Sequence, residues 1–529
     1  MKHHRQVYEQ NRIQKKIRPD TTRLALIYPN HYHIGMASLA IKLLYFLFNM
    51  GQDIYCERVF LPYQEGTLPR SVETGTPLNN FDILAVTFSF ELDYVNFLKL
   101  LLNSKVPLEV QERIRKSHAP IILAGGPALS ANPEPLSSYI DGCFIGEIEP
   151  ILPELLEIMT LSKDKIREEL AQVSGLYVPV LKDEFIPPRS IHRVVVPDLN
   201  QVPFPANQIQ AHLQKTSKIK VPLPGYHLEV SRGCKYKCKF CLVGHNCRPM
   251  RIRSVEQLQD LASRGIQTSI EPHISIIGSS ASEHPDLEKL LTFFNTEKVS
   301  FSLPSLRLDA SDEIIRQARL GGQNQLTVAL ETVNEPLRLA MGKGISDNDL
   351  YTFWQRILSY GFESLKLYFI LGLPTQDIEK EIEGIALLLQ NLKSQINTKR
   401  FINLSVTPFV PKAHTPFQWY VADYKAVGHG ASKLLKTLKQ EDITISPPRW
   451  APIQALLSIG DADIGRVLKK VAILGGAYKT WREVLGDPIR YYTDLHKKTV
   501  NSTLPWEHIS LGMQHSHLKE NFERFLKKS

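Results

Sequence analysis

Three cysteines within one short segment are the residues best suited to chemistry in this chain of 529 residues. Cys234, Cys238 and Cys241 have the spacing C-x3-C-x2-C, directly after a predicted strand, HLEVS. Three thiolates on one loop can hold three irons of a [4Fe–4S] cluster and leave the fourth iron open to a ligand that is not protein. An open iron can bind the amino and carboxylate groups of S-adenosylmethionine (SAM) and deliver one electron to break a C–S bond. Phe240 is placed to shield such a cluster or to pack near the adenine.

Two other kinds of site also use clustered cysteines. A structural zinc site normally takes four ligands arranged in C-x2-C pairs. Cys247 offers a fourth thiol, but the resulting C-x3-C-x2-C-x5-C is not a zinc-ribbon spacing. An electron carrier of the ferredoxin type usually has the run C-x2-C-x2-C-x3-C. The observed spacing therefore favours the cluster with an open iron.

The composition is that of a globular protein without a membrane span. Apolar residues make up 43% and charged residues 22%, which excludes wholesale disorder. The best apolar run, Leu39–Phe48, is too short to cross a bilayer and contains Lys42. The basic N-terminus has no apolar stretch and is not a secretory signal. Six cysteines are too few for a disulfide scaffold, and a cluster requires a reducing environment, so we expect a cytoplasmic protein.

The net charge of +9 permits nucleic acid, an anionic membrane or a phosphorylated substrate as a partner. The basic residues are scattered, however, and no basic stripe is interleaved with aromatic residues. We therefore expect neither a nucleic-acid nor a membrane partner.

Apolar runs that alternate with helical patterns predict an α/β chain with parallel sheets. After a basic extension over 1–22, residues 23–175 predict a Rossmann-like domain with strands at 23–29, 53–61, 81–89, 119–127 and from 141. Ligands in such sheets lie beyond the carboxyl ends of the strands, here Asn30–Gly35, Phe88–Glu91, Gly125–Ala128 and Gly146–Glu147. Any one of these glycines is equally compatible with a simple tight turn.

A second βα alternation follows a linker predicted over 176–222. Six βα-like units over 223–419 predict a partial or full βα barrel, whose chemistry belongs at the carboxyl ends of its strands. Their strands are predicted in HLEVS, HISIIGSS, VSFSLPS, LTVALET, SLKLYFILGLP and FINLSVTPFVP. Residues 420–529 predict a mostly helical region without an assigned role.

Beyond the cysteines, the chain resembles the radical SAM superfamily over residues 23–419. The segments 326–346, 365–376 and 405–419 are similar to the later strands of its partial (β/α)6 barrel. YPNHYHIGMASLAIKLLYFLFN, AGGPALSANPEP and DGCFIGEIEP are similar to the cobalamin-binding (B12-binding) Rossmann domain that precedes this barrel in one large subgroup. The function of the most similar part of that subgroup is poorly assigned.

The resemblance implies further ligands for SAM, with Cys234, Cys238 and Cys241 as the cluster ligands. The family's turn after the second strand falls on Gly278, Ser279 and Ser280, although here it lacks the usual Gly-Gly-Glu form. Other positions implied near the ribose or the methionine carboxylate are Ser305, Arg307, Glu331 and Lys343. Ordinary side chains at the rim of the barrel are the alternative for each.

The resemblance also implies a cobalamin site in the N-terminal domain. The pattern D-x-H-x-x-G, which supplies a histidine to cobalt in some relatives, is replaced here by Asn30 and Tyr32 before Gly35, with His31 and His33 beside them. This departure fits radical enzymes without a histidine ligand and equally a domain that has lost cobalamin. The remaining contacts implied are Ser89, Glu91, Gly125, Gly126, Pro127, Gly146 and Glu147.

Together these features predict a cobalamin-dependent radical SAM enzyme that forms a 5′-deoxyadenosyl radical and methylates an unactivated carbon of an unknown substrate. Methyl transfer follows from the resemblance alone. The alternatives are a radical enzyme that catalyses cyclisation, rearrangement or oxidation, an RNA-modifying enzyme, and a non-catalytic cobalamin- or redox-sensing module. A low-potential electron donor of the flavodoxin or ferredoxin type is the expected partner.

Overall fold

A parallel β-sheet forms the centre of the N-terminal part of the chain. The computed structural model describes residues 7–179, 190–213, 224–269, 272–395, 401–439, 441–496 and 500–528. After β1 (Val7–Gln10), the sheet consists of β2 (Thr22–Tyr28), β3 (Ile54–Phe60), β4 (Ile83–Thr87), β5 (Ile121–Gly125), β6 (Gly142–Phe144) and β7 (Leu176–Tyr177). Their spatial order is β3-β2-β4-β5-β6-β7, and only β7 is antiparallel to its neighbour. The five predicted parallel strands are confirmed.

Helices cover both faces of this sheet, so its inner strands are buried on both sides, as their continuous apolar runs predict. These helices are α1 (Tyr32–Gly35), α2 (Leu39–Phe48), α3 (Asp93–Asn103), α4 (Val110–Ile114), α5 (Pro127–Ala131), α6 (Leu152–Ile158) and α7 (Lys163–Leu170). Because β3 and β4 flank β2, the strand order reverses between β2 and β4. The crevice at such a switch point is where ligands bind in open α/β sheets.

Parallel strands in two connected sheets form the barrel part. The first sheet contains β10 (Tyr226–Glu229), β13 (His273–Ile277) and β14 (Ser300–Ser302), and the second contains β15 (Gln325–Glu331), β16 (Ser364–Leu371), β17 (Phe401–Pro408) and β18 (Asp442–Ile445). A parallel bridge between Leu306 and Val328 joins the two sheets. The six predicted barrel strands are thereby confirmed.

The barrel strands are connected by helices on the outside and by a short hairpin at the cysteine loop. The hairpin pairs β11 (Ser231–Arg232) with β12 (Arg251–Ile252) around α8 (Val243–Asn246). The other helices are α9 (Val255–Gln267), α10 (Leu287–Thr296), α11 (Asp312–Leu320), α12 (Glu335–Ala340), α13 (Asp347–Ser359), α14 (Ile378–Ser394) and α15 (Tyr424–Thr437).

The C-terminal region is mostly helical, as predicted, and contains α16 (Ala451–Ile459), α17 (Ala462–Ile473), α18 (Tyr478–Leu485), α19 (Pro488–Leu495) and α20 (His515–Lys528). The region also contains a short strand that was not predicted, β18 (Asp442–Ile445). Its four residues are exposed or half-buried at the edge of the barrel sheet, so they give no apolar run that would mark a strand.

The linker region pairs with both ends of the chain. Of its two short strands, β8 (Ile191–His192) pairs with β19 (Ile509–Ser510), and β9 (Gln210–Leu213) pairs antiparallel with β1. The linker segments 180–189 and 214–223 lie outside the described residues. No helix in the described ranges is long and apolar enough to cross a membrane.

The C-terminal helices share a hydrophobic core with one face of the N-terminal sheet. On that face, Tyr139 Oη donates to the carbonyl of Gly465 at 2.8 Å, and Asn132 Nδ2 donates to the carbonyl of Gly460 at 2.8 Å. The region whose role the sequence left open therefore covers the N-terminal domain. The barrel has a core of its own, and a third core lies on the opposite face of the sheet.

Arg58 on β3 holds the N-terminal strand against the sheet through a buried ion-pair cluster. Its guanidinium contacts Glu9 at 2.8 Å and Glu73 at 2.7 Å, and all three side chains are at most 2% exposed. Burial alone would raise the pKa of Glu9, but the Arg58 charge outweighs it and lowers this pKa to about 2.

We expect Arg58→Met to lower the free energy of unfolding by about 3–5 kcal/mol, because two carboxylates lose their buried cation. Urea unfolding followed by circular dichroism measures this loss in the free energy of unfolding. Arg115→Met, at an exposed position, is the control and should cost less than about 0.5 kcal/mol. Equal stability of the two variants would contradict the ion-pair assignment.

Candidate active site

The three cysteines lie on the loop between β11 and α8, at the carboxyl end of the first barrel strand. All three side chains are partly exposed. The loop begins at Gly233, whose φ is +86°, and a Cβ there would lie 2.1 Å from the carbonyl oxygen of Cys247. Only glycine fits this close approach of two backbone segments. The hairpin therefore requires a glycine directly before Cys234.

Contacts from the barrel fix the shape of this cysteine loop. Cys234 Sγ lies 2.8 Å from Ser280 Oγ, and Cys238 Sγ lies 3.7 Å from the carbonyl oxygen of Gly342. The backbone N–H of Lys239 donates to the carbonyl of Met341 at 3.0 Å. The loop is therefore held by the segments after the second and fourth barrel strands, where the resemblance places SAM ligands.

Burial opposes the ionisation of the thiols in the cysteine loop, and the irons of a cluster would supply the positive charge that thiolates need there. Burial raises the pKa of Cys238 to about 11, although the nearby Lys343 charge opposes this, and burial also raises the pKa of Cys241. In the described residues, no three His, Cys, Asp or Glu side chains surround a point that a single metal ion could occupy. A cubane cluster does not need that arrangement because its ligands bind separate irons.

Arg232, two residues before Cys234, joins the loop to the N-terminal domain. Its guanidinium contacts Glu229 at 2.9 Å, Glu149 at 2.9 Å and Glu147 at 3.3 Å. Arg251 adds a 2.8 Å contact to Glu147. Burial alone would lower the pKa of Arg232, but the carboxylates outweigh it and raise that pKa well above its usual value. This ion-pair network sets the position of the cysteine loop relative to the parallel sheet.

Glu331 and Lys343 form a half-buried ion pair beside the cysteine loop. Lys343 Nζ lies 2.8 Å from Glu331 Oε1. Glu331 follows a bulge in β15 and has a φ of +74°, a left-handed backbone conformation that costs a residue with a side chain free energy. Such strain is found where the surrounding structure requires one side-chain direction, and here it directs Glu331 toward Lys343.

The other residues predicted to bind SAM lie at the same end of the barrel. The Arg307 guanidinium lies 3.9 Å from the centre of the Tyr236 ring, within the cysteine loop. Gly278 is close to Ser231, since a Cβ there would lie 2.7 Å from Ser231 Oγ. Ser279 and Ser305 are exposed. The structure brings these residues around the loop, and their contact with SAM stays a prediction.

A cavity of about 710 Å³ extends from the cysteine loop to the switch point of the N-terminal sheet. Three parts of the chain contribute to its wall. They are the ends of β2 and β4 with the start of α3, the cysteine loop with the ends of β16 and β17, and the start of α16 with its preceding turn. The lining includes Asn30, Phe90, Asp93, Asn96, Phe240, Leu242, Phe409, Lys412, Trp450 and Gln454.

A buried ion pair joins these three parts at the cavity wall. Glu91 accepts from Lys412 Nζ at 2.5 Å and from Gln454 Nε2 at 2.9 Å. Burial opposes the ionisation of Glu91, but the Lys412 charge and both hydrogen bonds outweigh it and hold the pKa of Glu91 below its usual value. Glu91, predicted to contact cobalamin, is thus engaged in a contact between domains.

Asp93, two residues later, has no ion pair to a cation among the residues that the structure describes. Its Oδ1 accepts from Asn30 Nδ2 at 2.9 Å and from Asn96 Nδ2 at 3.3 Å. Burial raises the pKa of Asp93 to about 6, although these two amides oppose the shift. Adjacent carboxyls with opposite pKa shifts are typical of functional sites.

Only some of the residues predicted to bind cobalamin reach this cavity. Asn30 lines it, and Ser89 is exposed beside Phe90. The ring of His31 stacks on Tyr63 with ring centres 4.5 Å apart, and His33 Nδ1 lies 2.8 Å from Tyr63 Oη. Neither histidine lines the cavity.

The remaining predicted positions pack against other parts of the chain. Tyr32 Oη donates to Glu9, and a Cβ at Gly35 would lie 2.3 Å from the Phe60 ring. Gly125 begins a close turn in which Gly126, with a φ of +102°, approaches the backbone of Phe88.

The loops after β5 and β6 are covered from outside the domain. The carbonyl of Pro127 accepts from Asn246 Nδ2 at 3.4 Å. Gly146 forms a parallel bridge with Val194, and Glu147 accepts from the backbone of Val196 at 2.7 Å. The linker therefore covers the part of the sheet edge that follows β6.

Asp93, Lys412, Trp450 and Gln454 line the cavity but were not among the site residues predicted from the sequence. A usable signal existed for two of them, because Asp93 and Lys412 follow strands whose carboxyl ends face the site. Trp450 and Gln454 had no such signal, since nothing in the sequence showed that α16 returns to the cavity.

Family comparisons agree with the geometry of the cysteine loop. The sequence model described as "Radical SAM superfamily" matches residues 228–389, and the one described as "Radical SAM proteins, N-terminal" matches residues 40–179. The chain is therefore a radical SAM enzyme, as its cysteine spacing and barrel strands predicted.

The similarity to known proteins extends over most of this chain. An uncharacterized protein of Methanocaldococcus jannaschii is 27% identical over 450 residues, which are 84% of this chain and 90% of that protein. The radical SAM methyltransferase TsrM of Kitasatospora setae, solved with cobalamin and a [4Fe–4S] cluster, has a TM-score of 0.49 at 13% identity, covering 90% of this chain and 100% of that one. OxsB, a cobalamin-dependent SAM radical enzyme, has a TM-score of 0.47 at 14% identity, covering 96% and 80%.

We expect Asp93→Asn to raise the free energy of unfolding by about 3 kcal/mol at pH 8. The raised pKa means that ionised Asp93 destabilises the folded state, and asparagine preserves its shape without the charge. The gain should shrink as the pH falls through 6 and vanish below about 4, where folded and unfolded states both carry the protonated acid.

Urea unfolding between pH 4 and pH 8 measures this dependence. Asp260→Asn, on the exposed side of α9, is the control and should change little at any pH. A difference between Asp93→Asn and the wild type that does not vary with pH would show that the carboxyl is not destabilised.

Proposed function

We propose that this radical SAM enzyme methylates an unactivated carbon of a substrate held in the cavity, with cobalamin as the methyl carrier at the switch point of the N-terminal sheet. One observation carries the proposal: a single cavity is lined by Phe240 and Leu242 of the cysteine loop and by Asn30, Phe90 and Asp93 of the switch point. A radical formed at the loop would therefore reach the same space as a carrier bound at the sheet.

The cluster and SAM fit the residues around the cysteine loop. Cys234, Cys238 and Cys241 would hold three irons, and the cluster would supply the electron that cleaves SAM to a 5′-deoxyadenosyl radical and methionine. The Glu331–Lys343 ion pair offers a carboxylate for ribose hydroxyls and an ammonium for the methionine carboxylate. Contacts of the loop with Ser280 and Gly342 would keep the ligands in place when SAM binds.

Cobalamin fits the part of the sheet edge that is open to the cavity. Asn30 and Asn96 offer side-chain amides, and Phe90 presents an apolar ring that is 42% exposed. When bound there, cobalamin would supply a methyl group derived from a second SAM. The Glu91–Lys412 ion pair and α16 close the wall behind it, and apolar side chains exclude water from the space between the two cofactor sites.

Radical chemistry without methyl transfer is the second candidate. The observation that favours it is the coverage of the edge after β6, where Gly146 and Glu147 bind the linker. A carrier that binds only at the edge after β2 and β4 has fewer contact residues than were predicted from the sequence. Cyclisation, rearrangement or oxidation of the substrate needs only the cluster, SAM and the cavity.

We expect Cys238→Ala to abolish the [4Fe–4S] cluster and the formation of 5′-deoxyadenosine, because three thiolates are needed to hold the cluster. Anaerobic reconstitution, electron paramagnetic resonance of the reduced protein and chromatography of the products measure both losses. The control is Cys247→Ala, six residues after Cys241, which should retain the cluster. Formation of 5′-deoxyadenosine by Cys238→Ala would disprove the ligand assignment.

We expect the reconstituted protein to retain hydroxocobalamin through gel filtration, and Phe90→Ala to weaken this binding several-fold through loss of buried apolar area. Leu161→Ala removes a similarly exposed apolar side chain far from the cavity and is the control. Incubation with SAM that carries a deuterated methyl group then tests the transfer, because the label should appear in the substrate. Failure to retain cobalamin would leave the second candidate as the function.

A further inference from the structure

Among the described residues, the charged side chains at the cavity wall leave one negative charge, that of Asp93, without an ion-pair partner. Lys412 is paired with Glu91 at 2.5 Å, so these two charges compensate each other. Asp93 receives only the neutral amides of Asn30 and Asn96, both on Oδ1. No ion pair to Asp93 is found in the described part of the chain. Oδ2 is therefore left for a group that comes from outside the protein.

Burial makes this isolated carboxylate costly, because a buried charge is normally paired. The raised pKa of Asp93 reflects that cost. The negative charge of Glu91 repels ionised Asp93. Lys412 does not offset the cost of burying the Asp93 charge, because it is paired with Glu91. A ligand that brings a positive charge would remove the penalty, whereas a neutral ligand would leave part of it and an anion would increase it.

Aromatic side chains from three parts of the chain surround the same space. Phe90 comes from the switch point, Phe240 from the cysteine loop, Phe409 from the end of β17 and Trp450 from the turn before α16. Aromatic faces attract organic cations as well as apolar groups. The combination of such a wall with one unpaired carboxylate is specific to ligands that are both cationic and partly apolar.

We propose that the substrate of this enzyme is an organic amine whose ammonium group pairs with Asp93 Oδ2 and whose apolar part lies against Phe240, Phe409 and Trp450. The inference rests on the proposed function in so far as it takes the cavity as the substrate chamber. It adds the chemical class of the substrate and gives Asp93 the role of its recognition residue.

The test compares three probes of the same shape and different charge: 2-phenylethylamine, 2-phenylethanol and phenylacetate. Calorimetric titration at pH 8 into the full-length protein with its cluster reconstituted should show that the amine binds at least about 10-fold tighter than the alcohol, and that the acid binds weakest. A charged hydrogen-bonded pair typically contributes this much.

Asp93→Asn should reduce the preference for the amine over the alcohol to about 2-fold or less, and Asp260→Asn should leave the preference unchanged. Thermal unfolding of both variants confirms that they are folded. Equal binding of the three probes to the wild type, or a preference that persists in Asp93→Asn, overturns the inference.

Failure of the inference can be told apart from failure of the proposed function. The wild-type protein is assayed separately for 5′-deoxyadenosine with SAM and a chemical reductant. Formation of 5′-deoxyadenosine together with equal binding of the probes refutes the amine alone. Absence of 5′-deoxyadenosine together with a preference for the amine that depends on Asp93 refutes the radical function and leaves the amine site intact.

Discussion

The ion-pair network of Arg232 is the constraint on which the rest of the site depends. Its guanidinium contacts Glu229 of the barrel and Glu147 and Glu149 of the N-terminal domain, and Arg232 lies two residues before Cys234. Buried ion pairs contribute little net stability, but they penalise any arrangement that separates them. The network therefore defines one relative position of the cysteine loop and the parallel sheet, and the cavity is the space left between them.

The sequence revealed the elements of this site more fully than their arrangement. The strands were predictable because parallel strands buried on both faces give continuous apolar runs, as in β2 and β4. The candidate cluster site was predictable because its three cysteines lie on one loop, so that their spacing in the sequence is sufficient to indicate it. Glu331 and Lys343 could be named only by resemblance, and the structure adds the ion pair between them.

Contacts between distant segments left no comparable signal in the sequence. The covering of Gly146 by Val194 depends on where the linker runs, and no local pattern records that path. Glu91 and Asp93 look alike as two acidic residues after a strand, yet Lys412 lies beside only one of them. β18 was missed because the apolar alternation of this four-residue edge strand consists of only two residues, Ile443 and Ile445.

The pairing of the chain's two ends with its middle has a consequence for its synthesis. β1 can pair with β9 only after more than 190 further residues have been made. β8 can pair with β19 only after the C-terminal helices α16–α19 have been made. Contacts of such long sequence separation form late, and chains without them expose apolar surface. In a nascent chain that ends after the barrel, the cysteine loop is present but α16 does not yet close the cavity beside it. The enclosure that would protect a radical from water and oxygen is thus made after both the N-terminal sheet and the barrel.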